Sequence, residues 1–158
     1  MSELLIRAAF ETRLKTWADA QVPAIPIAFE NVAFTPPQGR YLRAFILPAR
    51  TVSRTIDGQN RQRKGVLHVS IVLPIGAGAG AASAIAGALE ALFPLTEPIV
   101  QGGLSVLMIT PMCAAVGASQ EADRFVLPVS AQYQCDHAAF VPIQTTSPYA
   151  DIYADNYS

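Results

Sequence analysis

VLHVSIVLPIGAGAGAASAIAGALEALFPL, residues 66–95, decides how the chain reads. Val66, Leu67, Val69, Ile71, Val72 and Leu73 form a short β-branched run with almost no charge. Such a run suits a strand covered on both faces, or covered on one and packed against a partner on the other. Pro74 and Gly76 stop it. From Ala79 the composition turns alanine-rich, and Ile85, Leu89, Leu92 and Phe93 recur at helical spacing. Pro94 ends this helix, because it pushes Phe93 out of the α region. Glu90 is its one charge, so the helix is expected to be buried along most of its surface, by the sheet or by a neighbouring subunit.

Upstream, Tyr41 to Leu47 alternates. Leu42, Ala44 and Ile46 share one face, and Tyr41, Arg43, Phe45 and Leu47 share the other. Residues 41–47 and 64–73 are expected to pair as a long hairpin. Between them, Pro48 to Gly65 is the most polar stretch. Arg50, Arg54, Arg61, Arg63 and Lys64 face Asp57 alone, a local balance of +4 within an overall −1. Asp57-Gly58 marks a hairpin turn. Like charges repel and little here can be buried, so the tip is expected to move in an isolated monomer. It is either a solvated loop or an assembly arm that meets acidic protein or passing nucleic acid.

Residues 3–20 read as an amphipathic helix with Ser2 as N-cap and Ile6, Phe10, Leu14 and Trp17 on its core face. Arg7–Glu11 and Glu11–Lys15 are i,i+4 opposite-charge pairs on the other face. Val22 to Phe34 is extended, and Pro26 confines its strand to an edge or a late start. Leu95 to Gln101 reads as a connection, Leu104 to Thr110 as a strand, and Pro111 to Ala122 as a loop. Arg124 to Gln134 is a strand with one apolar face, and Pro128 points to an edge or a bulge. The domain is drawn at residues 1–135, with 136–158 as an extended tail. There Tyr149, Tyr153 and Tyr157 recur at i, i+4, i+8, either on a disordered tail or on a short helical face that docks on a partner.

Composition narrows the function classes. The chain has 158 residues, one domain's worth, of which 51% are hydrophobic and 15% charged. That points to apolar surface covered by another chain, although many of these residues are alanines. A net charge of −1 argues against a general nucleic-acid binder. Cys113 and Cys135 read as free thiols of a reducing compartment. No apolar run reaches the ~18 residues of a membrane span, and no signal peptide is visible.

Catalytic sets are absent from the pattern. Gly76-Ala77-Gly78-Ala79-Gly80-Ala81 fits a dinucleotide fingerprint, and Glu97 follows near the expected distance. The fit is rejected. Pro74 interrupts the approach, Glu97 sits between Pro94 and Pro98, and no repeating βαβ series surrounds it. Glycines here more simply permit a tight turn and close helix–sheet packing. His68 reads as a core or inter-strand residue. Cys135, Asp136 and His137 would point alternately apart on an extended chain. No metal or calcium spacing occurs, so no cofactor is expected.

Taken together, PIAFENVAFTPP at 26–37, YLRAFILPA at 41–49, RQRKGVLHVSIVLPIGAGAGAASAIAGALEALFP at 61–94, GGLSVLMI at 102–109 and DRFVLPVSAQYQ at 123–134 resemble the tail terminator-like proteins of long-tailed phages and prophages. The resemblance spans about residues 2–135. It implies an α/β (α+β) domain with a mixed, mostly antiparallel sheet of about four to five strands and its helices mainly on one face. It also implies a virion protein that forms a sixfold ring, seats on the last ring of the tail tube protein, stops polymerisation and receives the head–tail connector or head-closure protein. Genomic DNA would pass through without sequence-specific binding. No catalytic residue comes with the family. The alternative readings are another neck or tail component, such as a head-closure or tube protein, and a nucleotide-binding enzyme at Gly76. On this reading Arg50, Arg54, Arg61, Arg63 and Lys64 are the candidate interface to the tube or to a neighbouring subunit.

Overall fold

A computed structural model describes residues 2–114 and 117–138. Helix α1 (Ser2–Asp19) is followed by strands β1 (Ile27–Phe29), β2 (Tyr41–Ser53) and β3 (Asn60–Pro74). Helix α2 (Ala79–Leu92), β4 (Ile99–Gln101), β5 (Leu104–Met108), β6 (Ser119–Glu121) and β7 (Arg124–Ala138) complete the chain. One 7-stranded sheet runs in the order β1-β2-β3-β7-β5-β4, with β6 beside β7. Only β1 and β2 pair in parallel. The class is the expected α+β with a mixed, mostly antiparallel sheet. The strand count is higher than expected because β4 and β6 are three-residue elements, too short to leave an alternating pattern. β4 lies in the stretch read as a connection. It turns into β5 through Gly102 and Gly103, both at positive φ (56° and 80°), which a two-residue hairpin turn requires.

The alternation along β2 fixes its register on β3, and β3 carries that register to β7. Leu42 pairs with Ile71 and Ala44 with Val69, and the same rows continue to Leu127 and Val129. This face of the sheet is apolar, and both helices cover it. Ile6, Phe10 and Leu14 of α1 are buried as their spacing predicts, and Trp17 packs at the margin. From α2 come Ala82, Ile85 and Leu89, with Phe93 just beyond. Ala86 and Leu92 pack partly buried at its margin, and Gly80, Ala84, Gly87 and Ala91 are exposed in the single subunit, so the sheet covers one stripe of this helix and not most of its surface. Arg7 pairs with Glu11 at 3.2 Å as expected, and also reaches Glu30 at 2.6 Å. With Glu11 thus engaged, Lys15 turns to Asp19 at 2.8 Å instead.

Two prolines test the edge rule in opposite ways. Pro26 precedes β1, which is an edge strand that begins late, and its carbonyl accepts from the Leu42 N–H. Pro128, expected at an edge or bulge, sits in β7 between β3 and β5. The pairing explains how. Ser130 and Gln132 direct their N–H groups away from β3, to Cys113 and Thr110. By alternation Pro128 faces the same way. There it meets a gap between the end of the β6 pairing at Val126 and the bridge at Ser130, so no ladder bond is lost.

The centre of the core is aromatic. The Phe10 ring meets Phe93 edge-on at 5.9 Å and Tyr133 at 5.0 Å. This contact joins α1, the end of α2 and the sheet. Phe10→Ala is expected to cost about 3–5 kcal/mol, read as a lower urea midpoint at unchanged slope.

Candidate functional site: the hairpin arm

The stretch expected to be a moving polar loop is mostly strand. The β2–β3 ladder continues through Arg50↔Lys64, Thr51↔Arg63 and Val52↔Gln62 to Ser53↔Arg61. β7 lengthens with it, past Gln134 to Ala138, which pairs with Asn60. The result is a three-stranded arm. Its charged and amide side chains hide a strand from a hydrophobicity pattern, yet the backbone bonds do not depend on them. The tip itself is a closed turn. The Arg54 N–H donates to the Asn60 carbonyl at 2.8 Å, the Gln59 N–H to Asp57 Oδ1 at 3.0 Å, and Gly58 takes φ 70°. Hydrogen bonds from Thr55 and from the Gln59 backbone hold the Asp57 carboxyl below its ordinary range.

The arm leaves the domain at a defined joint. Pro48 pairs with Gly65 and Arg50 with Lys64, so Ala49 is an extra residue and the ladder shifts register. Such a bulge bends the strand and increases its twist. Gly65 faces Tyr133, whose ring lies where a side chain would stand. A Cβ on Gly65 would clash with the Tyr133 hydroxyl and sit 2.6 Å from the Leu47 carbonyl oxygen. The tyrosine thus fills the space of the missing side chain, as aromatic residues do across from strand glycines.

Not all five cations of the candidate interface are available to a partner. Arg63 turns to the helix side, with its side chain only 15% exposed, and pairs with Glu3 at 3.2 Å. It ties the first turn of α1 to the arm. Arg54 lies 3.9 Å from Asp136, which also accepts from Gln62 and Gln134. Arg61 donates to the Gly58 carbonyl within its own turn. Among the described residues, the ion pairs include none of Arg50, Arg61 and Lys64. Arg50 and Lys64 stand directly opposite each other in the ladder, a like-charge pair that costs stability until something anionic relieves it. Tyr149, Tyr153 and Tyr157 lie outside the described residues.

The other end of the sheet is fastened by residues that composition did not single out. Arg124, the first residue of β7, donates to the carbonyls of Pro37, Gln38 and Gly39 at 2.7, 3.1 and 2.9 Å. Both Arg124 and Arg43 stack over the Tyr41 ring, at 5.8 and 5.7 Å, and Arg43 lies 3.5 Å from Glu121. The proline loop is thereby clamped to the sheet. Its only sequence signal is an arginine at the start of an alternating run.

Gly76 and Gly78 take φ 93° and 83° at the entry to α2, so these glycines serve the turn. Beside them is a groove of about 240 Å³ lined by Leu73, Pro74, Ile75, Gly76, Gly78, Ala79, Gln120 and Phe125. Gln120 supplies its one polar side chain, and none is charged. Cys135 and Asp136 point to opposite faces of β7, Cys135 buried and Asp136 exposed. His68 lies on the uncovered sheet face, beside Phe45 and within 3.2 Å of Ser70. Partial burial lowers its pKa.

The family model for phage tail terminator proteins matches residues 5–133. A solved structure is 43% identical to the chain, covers 90% of it and 99% of its own length, and superposes with a TM-score of 0.75. No curated protein matches. The chain belongs to the phage tail terminator family. Its place is therefore among the structural components of a phage tail, where it contacts other tail or head components.

Gly65→Ala is expected to cost about 1–3 kcal/mol in urea unfolding, because neither Tyr133 nor the Leu47 carbonyl can withdraw freely. Burial, with Glu3 adding to it, pushes the Tyr133 hydroxyl up to about 12. An unfolded tyrosine ionises near pH ~10, so this contribution is intact below that value and is lost as pH climbs through about 12. Unfolding followed across this range should show a steeper loss for the native chain than for Tyr133→Phe.

Proposed function

We propose that the protein closes into a ring of six copies on the last ring of the tail tube. The ring ends tube polymerisation and presents the surface to which the head–tail connector or head-closure protein joins. Genomic DNA passes through it without sequence reading. The observation that carries this reading is the family match over residues 5–133. The protein then works at the neck-proximal end of the virion tail, and assembly takes place in the host cytoplasm.

Two features of the subunit support it. The exposed stripe of α2, with Gly80, Ala84, Gly87 and Ala91, lets a neighbouring backbone approach closely without burying charge. The arm offers Arg50, Arg61 and Lys64 on a rigid three-stranded base, poised for the tube or the adjacent subunit. A preformed arm loses little conformational entropy on docking. A tube protein would polymerise unaided, so long tubes from the purified chain would favour that alternative.

The test separates contact from folding. Arg50→Glu, Arg61→Glu and Lys64→Glu combined should leave thermal unfolding nearly unchanged, yet yield overlong tubes that fail to join heads. Arg63→Glu should instead lower stability, since it removes the Glu3 pair. Tails of normal length that join heads in the triple variant would exclude the arm as the contact.

A further inference from the structure

Ile56 stands at the apex of the arm and is the most exposed large hydrophobic residue among those described, at 109%. The turn around it is fixed. The Ser53 hydroxyl and the Gly58 N–H both donate to the Thr55 carbonyl, at 2.7 and 3.1 Å. The Asn60 N–H donates to Thr55 Oγ1 at 3.1 Å. A branched apolar side chain is thus held out in water on a preformed support, so docking it costs little ordering. At the opposite end of β3 lies the groove at the entry to α2, about 240 Å³ in volume, with Leu73, Ile75 and Phe125 among its walls. A dry apolar space of ~150 Å³ takes up benzene, so an isoleucine side chain fits here. β3 spans ~45 Å from Asn60 to Pro74, so a chain cannot place its own Ile56 in its own groove.

We propose that Ile56 of one copy seats in this groove of the next copy, head to tail. Knob and socket belong to one chain and occupy its two ends, as a heterologous contact requires. Charge agrees. Arg54 and Asp57 flank Ile56. The exposed acids Glu121 and Asp123 border the groove on its strand side. The start of α2 borders the other side, where Gly78 provides no side-chain cap. The cation meets acids, and the carboxylate meets the positive end of a helix. From Ala79 the groove continues into the exposed stripe of α2 at Gly80, so the arm meets no bulky side chain on its approach. The fit does not call on Arg50, Arg61 or Lys64. It rests on the ring reading for closure, while the pairwise contact is measured apart from it.

Disulfide trapping tests the contact. In a Cys113→Ser background, chains with Ile56→Cys are mixed with chains with Gln120→Cys and oxidised, both free and on tail tubes. Gln120 lines the groove, and the remaining Cys135 is buried. Mixed 56–120 dimers should exceed either like-with-like dimer about tenfold, because docking concentrates the two thiols. Ile75→Asp added to the Gln120→Cys chain should abolish that excess, and persistence of the excess would overturn the proposal. Dimers in the proportions of random collision, both free and on tubes, would overturn it too, even if rings of six form. A 56–120 excess without rings of six would keep this contact and refute the sixfold closure.

Discussion

The seating of the Tyr133 ring over Gly65 is the constraint on which the rest of this subunit hangs. The ring closes three things at once. It packs against Phe10 and so fixes α1 on the sheet. It occupies the space where a larger residue would push β2 and β3 apart. It also marks the joint at which the sheet starts to leave its helical cover and becomes the arm. Position 65 is therefore restricted by what lies opposite it, since its own backbone conformation is ordinary. The bulge at Ala49, on the neighbouring strand, sets the bend at the same level.

Electrostatics divide along that joint. On the helix side Arg63 and Glu3 form a partly buried pair that anchors the arm to the start of α1. Removing Glu3 would strand Arg63 in a poorly solvated place, whereas Glu3 itself is half exposed. On the open side Arg50 and Lys64 repel each other in full solvent. A block of cations that reads as one feature in sequence thus separates into an internal fastening and an exposed outer set. Side-chain direction on a pleated strand makes the separation, because neighbouring residues face opposite ways.

The same alternation explains what could be read from sequence. The Tyr41–Leu47 and Val66–Leu73 rows alternate or run apolar because one face is packed, so the hairpin and the two helices were legible. The arm was not, because Arg, Gln, Asn and Lys on both of its faces leave no period-2 signal while the backbone ladder persists. Short β4 and β6 carry too few residues to show a pattern. Pro128 misled for a local reason. A proline is excluded from a ladder only on the side where its nitrogen points, and that side happens to be empty. For the candidate site, the cluster of cations was legible. The inward turn of Arg63 and the clamp at Arg124 were not, because both depend on residues distant in sequence.

Both margins of the sheet end in three-residue strands, β1 and β4. Along the outer side of β2, Pro48 lacks a donor and Ala49 breaks the spacing of the remaining groups. Main-chain pairing with another molecule is therefore denied any appreciable length on either flank. Recognition between this protein and its neighbours has to be written in side chains, where shape and charge discriminate and a backbone ladder would not. A subunit built this way is poorly suited to indiscriminate self-stacking, and its choice of neighbour can change by surface substitution while the scaffold stays intact.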